Sequence, residues 1–136
     1  MGNLMKIEIE MTDEPLKIAP LRLPLSGESG AVVEFWGLVR SMEGGQKIAA
    51  LHYEAYIAMA KRLLYEIAQE LLKKYPCQRL EVCHRIGPVA VGEPSVFLRI
   101  YSTHRSEAFQ LAQEFINRLK SDVPIWKSPL LAEKEE

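Results

Sequence analysis

Two lysines, Lys120 and Lys127, stand on either side of Pro124 and Trp126 near the end of the chain. Further back, His104 and Arg105 are adjacent, and Arg40 closes a run dense in β-branched and aromatic residues. Basic side chains drawn from separate stretches suit one task above others, which is gripping a small anion by charge and hydrogen bonds. Lysine adds a chemical option, because its amine acts as a base or nucleophile once it has lost its proton. Other familiar chemistries have no foothold. There is no phosphate-binding loop, dinucleotide fingerprint, His-Glu-x-x-His or nucleophile elbow. His52, His84 and His104 fall on different expected elements and make no metal-ligand set, so neither a metal nor a cofactor is expected.

The composition frames that task. With 136 residues, 48% hydrophobic and 26% charged, the chain is read as one domain, 1–136, with enough length for a real core. A net charge of -1 gives no basis for general binding to nucleic acid or an acidic membrane, so any anion must be held locally. Cys77 and Cys83 are too few for a disulfide framework and are expected to be reduced packing residues. No secretory leader pattern opens the chain and no apolar run reaches membrane length, so a cytoplasmic location is expected.

The elements that must carry these residues follow from periodicity. Met5 to Met11 alternates as a half-buried strand. Pro15, Pro20 and Pro24 then interrupt a stretch without a clear assignment, which ends in the turn-like 26–30. Ala31 to Arg40 reads as a strand with Val33, Phe35 and Val39 on one face, and Gly37 in its middle marks a bulge or a close approach. A flexible loop from Ser41 to Gly45 leads to a strand from Lys47 to Tyr56 that is expected to pair back across it. Ala58 to Tyr75 is an amphipathic helix, with Ala60, Leu63, Leu64, Ile67, Ala68 and Leu71 as its apolar stripe and Pro76 as its stop. Strands are expected at 79–86 and 95–102, joined by a turn, with one of His84 and Arg85 facing inward and the other outward. The acidic tail Glu133 to Glu136 reads as frayed.

The second helix runs from about Thr103, a plausible N-cap, to about Ser121, where Pro124 and its restriction of Val123 end it. His104 and Arg105 then occupy the first turn, where free backbone N–H groups favour an anion. The same pair also suits an ordinary solvated surface. Beyond Pro124 the chain is extended, and a buried Trp126 would anchor Lys127. Arg105 and Lys120 belong to one helix and are separated by roughly 22 Å at 1.5 Å per residue. The two ends either serve different ligands or meet across a dimer interface. The order of elements predicts an α+β domain with a mixed or antiparallel sheet and two main helices.

The motifs GAVVEFWGLVR, LHYEAY, HRIGPVAVGE, STHRSEAF and LKSDVPIWK, in this order across Gly30 to Lys127, resemble the large, catalytic subunit of molybdopterin synthase. The resemblance implies an α/β hammerhead fold and a homodimeric core. It implies as partner a small ubiquitin-like sulfur carrier whose C-terminal Gly-Gly thiocarboxylate enters the site. Its sulfur would pass in two rounds to cyclic pyranopterin monophosphate, giving the dithiolene of molybdopterin. The implied catalytic residues are Lys120 and Lys127, and the anionic substrate is implied to lie among Arg40, His104 and Arg105 across the dimer interface. Leu38 and Val39 would supply neighbouring backbone. Two departures touch this region. Ser128 and Pro129 follow the Trp-Lys pair where the family usually has a basic residue and then Glu, and the tail is shorter and lacks a further Trp. They keep open a non-catalytic paralogue that binds a pterin or nucleotide phosphate, or the carrier tail alone.

Overall fold

The computed structural model describes residues 6–17, 20–22 and 27–132. Met5, Pro24, Ser26 and the acidic tail Glu133–Glu136 lie outside them. Among the described residues, eight strands and two helices follow in the order β1 (Lys6–Thr12), β2 (Ala31–Leu38), β3 (Met42–Glu43), β4 (Gln46–Ala55), α1 (Ile57–Lys74), β5 (Arg79–Arg85), β6 (Gly87–Ala90), β7 (Pro94–Ser102), α2 (Arg105–Asp122) and β8 (Ile125–Leu131). The arrangement is the expected α+β class with two main helices.

The larger sheet is mixed, ordered β1-β5-β7-β2, with β1 parallel to β5 and the other pairs antiparallel. Both helices cover one face. The α1 stripe of Ala60, Leu64, Ile67, Ala68 and Leu71 is buried there, as is the α2 stripe of Ala108, Leu111, Ala112, Phe115 and Leu119. A fully buried side chain such as Phe115 contributes about 1.5–3 kcal/mol relative to its exposed state. Lys73 and Lys74 sit in the last turn of α1, where the helix dipole favours cations, and the Tyr75 N–H still reaches the Leu71 carbonyl before Pro76.

The opposite face of this sheet is polar and organised by Arg99, only 1% exposed. Its guanidinium meets Glu34 at 3.0 Å and Glu81 at 3.5 Å and donates to the Pro20 carbonyl. The Arg22 N–H donates to the Tyr101 hydroxyl, so residues 20–22 are pinned over that face. Removing one member of such a buried ionic group strands the others away from water, which makes the group destabilising to break.

The smaller sheet was only partly foreseen. β4 does not pair back onto β2. It pairs with β3, β6 and β8, all antiparallel, around a second core of Val39, Ile48, Leu51 and Val89. Val39 therefore leaves the face of Val33 and Phe35, which pack on the helical core. The register breaks between Gly37 and Leu38, turning the backbone there. Gly37 also approaches a neighbour closely, since a Cβ on it would lie 2.6 Å from Val96 Cγ1. The stretch expected to be a flexible loop is a tight hairpin: Glu43 pairs with Gln46 across Gly44 and Gly45, both at positive φ. β6 occupies what read as a turn.

His84 and Arg85 are both buried, where one was expected to face outward, because Arg85 is paired with Glu93 and donates to the Pro88 carbonyl. The N-cap of α2 is His104, one residue later than expected, and the Thr103 hydroxyl instead accepts from Gln78 Nε2. Where the chain crosses between the sheets, the crossings are bonded to each other. The Val39 N–H donates to the Glu93 carbonyl and Gly92 N–H to the Val39 carbonyl, while Tyr56 N–H donates to the Pro124 carbonyl.

Candidate active site

A cleft of about 420 Å³ opens at the junction of the two sheets. Phe35, Gly37 and Ser95 contribute from the larger sheet, Leu119 and Lys120 from the last turns of α2, and Tyr53 and Lys127 from the smaller sheet. Leu38 and Arg40 line it where the chain leaves β2. Three cations from three separate elements thus face one space.

Local sequence explains each placement. α2 ends at Asp122 because Pro124 cannot donate and Val123 adopts an extended conformation, φ -99° and ψ 137°. Lys120 stands in the helix's last turn, where a cation is electrostatically favourable. The chain re-enters as β8, whose ladder sets Lys127 opposite Tyr53 and Trp126 opposite Glu54. Trp126 does not anchor the strand by burial. It is 42% exposed, lies edge-on to the Tyr56 ring and donates through Nε1 to Glu54, so the strand is held by its ladder and by rim contacts.

The lysines differ in their surroundings. Lys127 Nζ lies 3.3 Å from Glu43 Oε1. Lys120 and Arg40 make no ion pair among the described residues. His84 forms part of the cleft floor. It is 3% exposed, its Nδ1 lies 2.7 Å from the Arg85 carbonyl oxygen, and its ring packs edge-on to Tyr53. Burial lowers its pKa below the ordinary histidine value, partly offset by the carbonyl contact, which keeps the ring neutral near pH 7. The cysteines are chemically quiet. Burial pushes Cys77 up to about 12 and, with Glu10 nearby, Cys83 up to about 11.

The remaining residues singled out from sequence stand elsewhere in the chain. Val39 is buried in the second core. Ser128 and Pro129 lie on exposed β8 opposite His52 and Leu51, beyond the cleft wall. His104 and Arg105 are exposed at the far end of α2 and do not line the cleft of their own chain. Glu43, Tyr53, His84 and Ser95 were not foreseen as lining residues. Only Gly44-Gly45, read as a two-residue hairpin turn, could have brought Glu43 to notice.

Residues 11–122 match the family model described as MoaE protein. A molybdopterin synthase catalytic subunit of Thermoplasma volcanium is 42% identical over 104 residues, 76% of either chain. The crystal structure of molybdopterin synthase from Staphylococcus aureus is similar at TM-score 0.82 and 36% identity, covering 92% of both chains. A protein–protein complex of subunits 1 and 2 of molybdopterin-converting factor from Helicobacter pylori contains a chain similar at TM-score 0.67. That match covers 94% of this chain and 86% of the other, and at 22% identity it is a likeness of fold. The family match spans most of the sequence and includes β2, the crossing at Arg40 and the end of α2, while β8 with Lys127 follows it, and the chain belongs to the MoaE protein family.

Proposed function

We propose that this chain is the catalytic subunit of a molybdopterin synthase. It moves sulfur from the C-terminal thiocarboxylate of a small ubiquitin-like carrier onto cyclic pyranopterin monophosphate, twice per product. The observation that carries the reading is the convergence of Lys120, Lys127 and Arg40 on one cleft in a chain of this family. Fixed cations in a partly enclosed cleft stabilise both a substrate phosphate and the negative charge that develops as a carbonyl is attacked. Lys120, at the helix end, activates the carrier's terminal carbonyl. In each round the carbon–sulfur bond of the carrier breaks and a carbon–sulfur bond forms on the pterin in place of a carbon–oxygen bond, while water adds its oxygen to the carrier's carbonyl carbon and the carrier ends as a carboxylate. Carrier tails ending in Gly-Gly suit this geometry, because residues without side chains can thread a narrow approach.

The site is completed by a second copy of the chain. Arg105 begins an 18-residue helix that ends beside the cleft, which leaves it roughly 22 Å from Lys120. His104 and Arg105 of the partner subunit reach the substrate from across a two-fold interface, which makes two identical composite sites from one contact.

Sulfur transfer from thiocarboxylated carrier to the pyranopterin, followed as dithiolene formation, tests the proposal. Wild type should turn over, and Lys120→Ala should abolish product while leaving the fold intact, since Lys120 is exposed and makes no ion pair among the described residues. Lys120→Arg should be nearly as poor, because a guanidinium keeps the charge and cannot deprotonate. Tight binding of carrier or pterin without any transfer by wild type would refute catalysis and leave a binding module.

A further inference from the structure

Among the described residues, the cleft that gathers Arg40, Lys120 and Lys127 has a single acidic side chain in its wall, Glu43. A carboxylate inside a site for anions opposes binding through like-charge repulsion, so its presence calls for a compensating role. Its Oε1 is 3.3 Å from Lys127 Nζ, whereas Lys120 has no ionic partner among the described residues. The placement of Glu43 is built into the backbone. It ends β3, and its ladder partner Gln46 closes a two-residue turn of Gly44 and Gly45, with φ of 57° and 80°. Two successive positive φ values are the requirement of the tight hairpin turn that matches strand twist. The same strand, β4, pairs with β3 at one end and with β8 along the rest, so Glu43 and Lys127 are referenced to one backbone.

We infer that Glu43 is a positioning residue for the transfer reaction, holding the Lys127 ammonium as a fixed cation at the cleft wall and leaving Lys120 as the amine that engages the carrier. The inference rests on the proposed sulfur transfer and adds to it the division of labour between the two lysines. A tethered Lys127 presents charge at one place. Lys120, untethered, is free to move onto the carbonyl and off again.

The test is steady-state sulfur transfer by Glu43→Gln, which keeps the size of the side chain and removes its charge. The expected result is a fall in kcat of about tenfold with KM for the pyranopterin within about twofold, the pattern of a misplaced group rather than a lost binding contact. Glu43→Asp should recover part of the loss. In a Lys127→Met background, Glu43→Gln should slow the reaction no further. Proton–nitrogen spectra of the lysine ammonium groups give a reading independent of turnover. The Lys127 signal, identified by its absence in Lys127→Arg, should be lost or broadened in Glu43→Gln, and this decides the matter if Lys127→Met is too slow to assay. An unchanged kcat, a changed KM alone, or an equal slowing in the Lys127→Met background would each overturn the inference. A wild type that transfers no sulfur would bring down the underlying reading of function as well, and so is told apart from these outcomes.

Discussion

The separation of the two ends of α2 yields a quantitative expectation for mixed dimers. Arg105 and Lys120 occupy the first and last turns of a helix of 18 residues, roughly 22 Å apart. No arginine side chain spans that distance, so in the proposed shared site the Arg105 beside one Lys120 belongs to the other subunit. Arg105→Ala and Lys120→Ala homodimers should each be inactive, since every site in them lacks one residue. A dimer with one chain of each kind carries both lesions in one site and neither in the other. Purified through two different affinity tags after co-expression, it should show about half the wild-type activity per dimer. An unsorted, randomly reassorted mixture should show about one quarter, because only half of its dimers are mixed. The assay is dithiolene formation with saturating thiocarboxylated carrier, and thermal melting should show that both variants fold, as expected for two exposed side chains. Activity of the purified mixed dimer no higher than that of the single variants would refute the shared site. It would leave His104 and Arg105 with a ligand of their own.

Two further expectations concern the scaffold. Gly37→Ala should destabilise the fold by about 1–3 kcal/mol in urea unfolding, because its Cβ would stand 2.6 Å from Val96 Cγ1. Adding Val96→Ala should recover part of that loss, and strict additivity of the two substitutions would contradict the clash. For His84, unfolding frees a ring whose pKa burial had lowered, so the unfolded chain takes up the proton first as pH falls. The contribution of His84 to stability should be complete above pH ~6.5 and decline as pH drops from there toward the lowered folded value. The urea midpoint should therefore fall with pH in this range, and less steeply in His84→Phe. Equal slopes would assign the pH dependence to other groups.

The two helices were legible because their apolar stripes repeat every three or four residues over four turns or more, and because Pro76 and Pro124 punctuate their ends. The strand Ala31–Leu38 and the irregularity at Gly37 were legible for a similar local reason. The second sheet was not. β6 is four residues beginning Gly87-Pro88, which read locally as a turn, and its strand character comes from pairing with Ala50 to Tyr53. Trp126 read as a buried anchor for Lys127, yet Glu54 and Tyr56 hold it at the rim. The burial of Arg85 and Arg99 was likewise invisible, since each depends on carboxylates brought by the fold: Glu93, Glu34 and Glu81. In the cleft, Arg40, Lys120 and Lys127 stood out because each sits beside a local break in the chain. Glu43 and His84 did not, because their neighbours there come from distant parts of the sequence.

The bonded crossings between the two sheets set the mechanics of the cleft. A seam joined only by single passes of chain would let one sheet rock against the other, and the cleft would widen and narrow with that motion. Here Val39 is tied to Gly92 and Glu93 on one flank, and Tyr56 to Pro124 on the other, by backbone bonds of 2.8–3.2 Å. Bonds on both flanks oppose rocking in either sense, so the spacing between the backbone at Lys120 on the helix side and at Lys127 on the strand side is established when the chain folds. Ligand then meets a cavity whose walls are already ordered, and little of its interaction energy is consumed in assembling them. In the proposed reaction such a cleft would select by shape as well as by charge, and small anions that match its cations but not its contour would gain little from it.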